Sequence, residues 1–262
     1  MRRAAALRRA PLIVMAIMVM CSGRAQAQSQ PNGQLWGEFT LSWVRSPRLT
    51  YDVDIEPQVL VIVPEGKPDW ATLDVTPSLD YVATRWLDVV GEFLAASTKQ
   101  TNEVNSLELT ERAGVRFHLF SRNLSTRLRD RELRELPPSR RLVVRDFARI
   151  EQRNIFYSDE EGDSASWRFR NRIEVQFPLN QGNVTVDKTR YALADWEWFV
   201  PLNDQPKERF ASKQRVRVGL GYRRNFAWRY EALYIWGRSL DTTTDSFTTS
   251  DNIIDFKVRR VF

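Results

Sequence analysis

The chain has 262 residues, of which 27% are charged and 42% hydrophobic, with a net charge of +6, one cysteine and one histidine. A single cysteine excludes a disulfide framework, and a single histidine leaves transition-metal sites and serine- or cysteine-based catalysis poorly supplied. After residue 27 no stretch approaches the ~18 consecutive apolar residues of a membrane-crossing helix.

Residues 1–27 begin with Arg2, Arg3, Arg8 and Arg9, run apolar from Pro11 to Cys21 and reach Ala25-Gln26-Ala27. A basic start, a short apolar centre and a small-x-small site predict a secretory signal peptide cut after Ala27. Met20 stands before Cys21, where a lipid-attachment site needs a small residue, so no lipoprotein anchor is expected. Cleavage removes five arginines and no acid, which lowers the charge from +6 to +1. The basic balance is therefore mainly a property of the signal, and no nucleic-acid partner is expected.

Residues 28–34 read as a polar leader and 35–262 as one all-β domain. Between 35 and 44, Leu35, Phe39, Leu41 and Trp43 fall on one side of an extended chain, opposite Glu38, Thr40 and Ser42. The run 49–63 is clearer: Leu49, Tyr51, Val53, Ile55, Val59, Val61 and Val63 share a parity, with Asp52, Asp54 and Glu56 on the other. Such period-two alternation specifies strands with one apolar and one wet face. Residues 73–81 set Leu73, Val75, Leu79 and Tyr81 against Asp74 and Asp80, and 85–96 set Leu87, Val89 and Phe93 against Asp88 and Glu92. Residues 107–119 oppose Leu107, Leu109, Ala113, Val115 and Phe117 to Arg112, Arg116 and His118.

Ser121 to Arg140 breaks the rhythm and reads as a long connection. Alternation resumes in 142–156, with Arg145, Arg149, Glu151 and Arg153 on the wet side, and in 167–177, with Arg168, Arg170, Arg172 and Glu174. The acidic stretch 159–163 between them lacks a calcium-loop signature, and no metal or other cofactor is expected. Residues 190–200 are rich in aromatics. Residues 214–224 alternate Val216, Val218, Leu220 and Tyr222 with Arg215, Arg217 and Arg223, and Asn225-Phe226-Ala227 predicts a tight hairpin into Trp228–Trp236.

The last stretch, Asn252–Phe262, places Ile254, Phe256, Val258 and Phe262 on one face, with Arg260 as the exception. It resembles the closing strand of bacterial outer-membrane β-barrels, which implies an assembly signal in Phe256, Val258 and Phe262 and the barrel-assembly machinery as a partner. Export, aromatics along the apolar faces and strands longer than the ~9–11 residues that cross a bilayer favour an antiparallel up-and-down transmembrane β-barrel embedded in outer-membrane lipid. A soluble periplasmic β-protein is the alternative. Eleven alternating segments can be counted, but single-chain bacterial barrels favour even numbers, so twelve strands are expected, with ten as the alternative. The extra strand is sought within 97–140.

Asp146-Phe-Ala-Arg-Ile-Glu-Gln-Arg153, Trp167-Arg-Phe-Arg-Asn-Arg-Ile173 with Phe177-Pro-Leu-Asn180, Glu197-Trp-Phe199 and Arg215-Val-Arg-Val-Gly-Leu-Gly-Tyr222 carry a family likeness. On these strings the chain resembles the domain-of-unknown-function 2490 family of predicted bacterial outer-membrane barrels, most strongly over 105–238. The resemblance implies fold and location, and brings no activity with it.

Inward charge is sorted along the chain. Asp52, Asp54, Glu56, Asp74 and Asp80 come early, whereas Arg112, Arg116, Arg145, Arg149, Arg153, Arg168, Arg170, Arg172, Arg215 and Arg217 come later, with Glu151 among them. In a meander this predicts an acidic wall facing a basic wall, either as a salt-bridged filling or as a narrow polar pore. An outer-membrane enzyme would need a base beside a nucleophile. His118 is followed by Phe120 rather than a serine two positions on, so a non-enzymatic barrel is expected and an enzyme acting on lipid or envelope substrates is the alternative.

Overall fold

The computed structural model describes residues 32–63, 69–100, 105–119, 142–158, 163–203, 213–241 and 246–262. The expected signal peptide, leader residues 28–31, the connection 121–140 and acidic residues 159–162 lie outside the described residues.

The described residues form eleven strands: β1 (Asn32–Ser46), β2 (Leu49–Ile62), β3 (Trp70–Thr84), β4 (Leu87–Gln100), β5 (Ser106–His118) and β6 (Val143–Tyr157) are followed by β7 (Ser164–Pro178), β8 (Thr189–Pro201), β9 (Lys213–Asn225), β10 (Trp228–Asp241) and β11 (Ser246–Val261). Each pairs antiparallel with its chain neighbour, and β1 closes on β11. The strand β1 takes in Asn32–Gln34, so the last three residues of the expected leader belong to the barrel.

Among the described residues the closed barrel has eleven strands, neither the twelve nor the ten expected. Strand β5 pairs directly with β6, from Ser106↔Tyr157 to His118↔Arg145, which leaves no place between them for a strand from the connecting segment. An odd count forces the first and last strands of a meander to run the same way. The β1–β11 seam is accordingly parallel, from Asn32↔Asp251 to Ser42↔Val261, and the expected all-antiparallel closure is corrected there. Parallel ladders are slightly weaker per residue than antiparallel ones. Polar side chains reinforce this one: Lys257 bonds Glu38, Arg259 donates to Ser42 Oγ (2.9 Å) and reaches Asp52 on β2 (3.2 Å), and Gln34 donates to Asp251 (3.0 Å).

The apolar side of each strand faces outward. Leu35, Phe39, Tyr51, Leu79, Phe93, Ile150, Val218, Ile254 and Phe256 are all exposed, and among the described residues no second sheet packs over them. At the end carrying the two-residue turns 47–48, 85–86 and 226–227, aromatic rings stack in pairs, Trp43 on Phe262 (5.5 Å) and Trp86 on Phe117 (6.2 Å). Arg260, the odd residue of the closing strand, lies over both Trp228 (4.7 Å) and Phe262 (5.2 Å), so its charge sits against ring faces in this aromatic girdle. Glu111 is a polar break in the outer belt: exposed, it lies opposite Phe93 and Gln152.

Among the described residues, buried apolar side chains form two small clusters inside the barrel. Trp36, Ile235 and Ile253 form one. The other joins Val143, Tyr191, Leu193 and Leu233 to Val184, which belongs to the β7–β8 connection and is 1% exposed. That connection folds inward at the tight-turn end, where Thr189 donates to the carbonyls of Asn183 (3.2 Å) and Val186 (2.6 Å). The glycines of the Val-Gly-Leu-Gly string on β9 sit in close approaches to β8 and β10. A Cβ on Gly221 would collide with the Tyr191 ring, and one on Gly219 with the backbone of Ala232 and Leu233.

Candidate lumen site

Strand register builds the basic half of the interior. Arg112, Glu151 and Arg168 stand directly opposite one another on β5, β6 and β7, and Arg149 faces Arg170 one step along. Glu151 is thereby enclosed by four guanidinium groups: Arg168 bonds it directly, with Arg149 at 3.0 Å, Arg170 at 3.4 Å and Arg112 at 3.5 Å. A second row, Arg172–Glu197–Arg215, crosses β7 to β9, and Glu197 takes Arg170 at 2.6 Å, Arg217 at 3.7 Å and Arg215 at 3.9 Å. Asp195 holds Arg217 at 2.6 Å, Glu92 holds Arg149 at 2.7 Å, and Glu108 accepts a two-pronged contact from Arg153 (2.9 and 2.8 Å).

Two inward aromatic rings complete this half. Arg116 and Arg149 lie over Phe147, and Arg168 and Arg170 over Phe199, all at about 5 Å. A weakly hydrated planar cation can stack on a ring while its edge serves a carboxylate, which lets arginine fill an interior where lysine would stay solvated. The desolvation cost of so many charges is offset because these carboxylates are all paired, and Glu92, Glu151 and Glu197 have more than one cation each.

The acidic half is built differently. Asp80 bonds Arg116, Asp52 meets Arg259 and Glu38 bonds Lys257. Asp54, Glu56 and Asp74, by contrast, have no basic group within 4 Å among the described residues. Glu56 and Asp74 are direct cross-strand neighbours, an arrangement that like charges normally disfavour. Gln58 bridges them, donating to Glu56 (2.9 Å) and to Asp74 (3.1 Å).

Between the halves lie two chambers of about 590 and 190 Å³. Asp52, Asp54, Glu56, Asp74 and Asp80 line the larger one on the acidic side. Arg112, Arg116, Arg149 and Arg153 line it from β5 and β6, and Arg168, Arg170, Arg172, Arg215 and Arg217 from β7 and β9. Arg145, bonded to Glu174, belongs to the smaller chamber. Glu151 lines neither, because its cations enclose it. The two chambers share a charged wall in which Asp52 and Asp80 accompany Arg116, Arg172, Lys257 and Arg259.

Sequence reading missed several residues of this site. Lys257 and Arg259 were visible only as the wet side of the closing strand, and the parallel seam is what brings them beside Glu38 and Asp52. Asp195 and Glu197 share the inward parity of Phe199 and alternate with Trp196 and Trp198, so that parity was the available signal. His118 donates to or accepts from Asp88 through Nε2 (2.7 Å), is buried and lines neither chamber. Among the described residues no cluster of His, Cys, Asp and Glu is arranged to hold a metal ion.

A family model described as a protein of unknown function, DUF2490, matches residues 33–248, which is nearly the whole barrel. The chain belongs to this family. The match to DUF2490 runs from the start of β1 into β11, so both the acidic and the basic walls are inside it. No curated protein matches the chain.

Proposed function

We propose that this DUF2490 protein is an outer-membrane β-barrel whose lumen is a narrow, charge-lined passage for small polar solutes. The observation that carries this is the pair of chambers inside one closed barrel, meeting at a wall with carboxylates on one side and guanidinium groups on the other. A transverse field at a constriction favours small charged or dipolar molecules over bulky neutral ones. Location in the membrane is supported by the exposed apolar belt, which a water-soluble barrel would have to cover. Outer-membrane lipid is then the solvent of that belt. The outward Phe256, Val258 and Phe262 of β11 are proposed as the segment read by the barrel-assembly machinery. The enzymatic alternative would want His118 at a chamber wall, and Asp88 holds it away from both.

Planar-bilayer recording tests the passage. Arg172 lies over the Phe147 ring (5.8 Å) and has no carboxylate within 4 Å among the described residues, so Arg172→Ala widens the shared wall without breaking a direct ion pair. Wild-type protein is expected to give small, ion-selective steps, and Arg172→Ala larger steps shifted toward cations. An absence of current from both would sink the passage. Fractionation with heat-dependent gel migration tests the location, which a freely soluble, heat-insensitive protein would contradict.

A further inference from the structure

The larger chamber contains carboxylates that the barrel itself leaves unserved. Asp255, whose side chain is 2% exposed, lines it with one oxygen, Oδ1, lacking any hydrogen-bond donor, while Oδ2 lies 3.4 Å from Lys257. Asp74 Oδ1 is likewise out of solvent and without a donor, beside Glu56 and Asp54, which have no cation of their own. Buried carboxylate oxygens without donors are costly, and proteins rarely retain them without a use. On the opposite side, among the described residues, Arg172 has no carboxylate within 4 Å and Arg215 reaches its nearest only at 3.9 Å.

We infer that this chamber is a binding site for a small dipolar solute that carries an ammonium group at one end and an anionic group at the other. An ammonium group has three donors and no acceptor, which suits Asp74, Glu56 and Asp255 together. A carboxylate or phosphate suits the guanidinium edges of Arg172 and Arg215. The volume of about 590 Å³ falls within the ~300–1,000 Å³ of small-molecule sites. A bare metal ion fits less well, because the acids are spread along the wall and form no metal-holding cluster among the described residues. Both charges must reside on one molecule, since the two walls face a common space.

The inference rests on the lumen being open to solutes, and the test separates the two ideas. Detergent-folded protein is titrated with O-phosphoethanolamine, β-alanine, ethanolamine and inorganic phosphate, and binding is followed calorimetrically and by the fluorescence of Trp36 and Trp70, which line the chamber. The two dipolar compounds are expected to saturate at least tenfold more tightly than either half-ligand. Their relative affinity tells carboxylate from phosphate. Glu56→Gln with Asp74→Asn should weaken them at least tenfold, whereas Glu111→Gln on the outer belt should not, with heat-dependent gel migration confirming that each variant is folded. Half-ligands binding as tightly as dipolar ones, or unchanged affinity in the Glu56/Asp74 variant, would overturn the site. Conductance with no saturable dipolar binding also overturns the site and leaves the passage standing. Saturable dipolar binding without conductance supports the site and overturns the passage.

Discussion

The two halves of the lumen solve the same problem in opposite ways. From β5 to β9 the buried carboxylates are each held by at least one guanidinium group, four in the case of Glu151 and three in that of Glu197, and the rings of Phe147 and Phe199 fill the gaps between them, so the interior is cross-linked. From β2 to β3, Glu56 and Asp74 stand with Gln58 as their shared companion and, with Asp54, open onto the chamber. Charges that are over-served hold a structure in one shape. Charges that are under-served are available to something else, so the basic half is read as the frame and the acidic half as the working surface.

The contrast is broken most severely at Glu151. Glu151→Ala leaves four guanidinium groups facing one another without their shared anion, and breaking a buried network of this kind costs about 3–5 kcal/mol. Urea unfolding of vesicle-inserted protein should show a large fall in midpoint, or the variant should fail to insert. A midpoint close to wild type would mean that the basic half is not held by its central carboxylate.

A smaller effect is expected at the inward connection. Val184→Ala removes two methyl groups from the cluster with Tyr191 and Leu233, at a cost of about 1.5–3 kcal/mol for lost burial plus the cavity left behind. Hydrogen exchange should rise around 180–193 while β2 and β3 keep their protection. Loosening spread evenly round the barrel would erase the distinction between frame and working surface.

Parity made much of this legible. A side-chain period of two, read from runs such as Thr50–Gln58 and Trp167–Phe177, assigns the charged residues of those runs to the inside before any partner is known. It also separates early acids from late bases, because in a meander chain order is wall order. Partnership was not legible, since it depends on register: Glu151 meets Arg112 and Arg168 only through the β5–β6 and β6–β7 alignments. Strand number failed for a related reason. The even-number expectation outweighed a correct count of eleven alternating segments, and the β1–β11 seam that reconciles an odd count with closure leaves no mark in either strand alone. The inward connection gave still less warning, because Val184 is a single apolar residue between polar neighbours.

The smallest effect is the most discriminating, because its sign is in question. Glu56→Gln replaces one of two facing acids with an isosteric amide, which relieves a like-charge cross-strand pair worth roughly 0.2–1 kcal/mol and can give Asp74 Oδ1 the donor it lacks. If Glu56 belonged to the frame, its loss would destabilise the barrel as loss of Glu151 does. As part of a working surface, it should leave the urea midpoint unchanged or slightly raised while dipolar-solute binding falls. A protein that keeps two facing carboxylates at a cost in stability is using them for binding, and a measurable drop in the Glu56→Gln midpoint would return that wall to the frame.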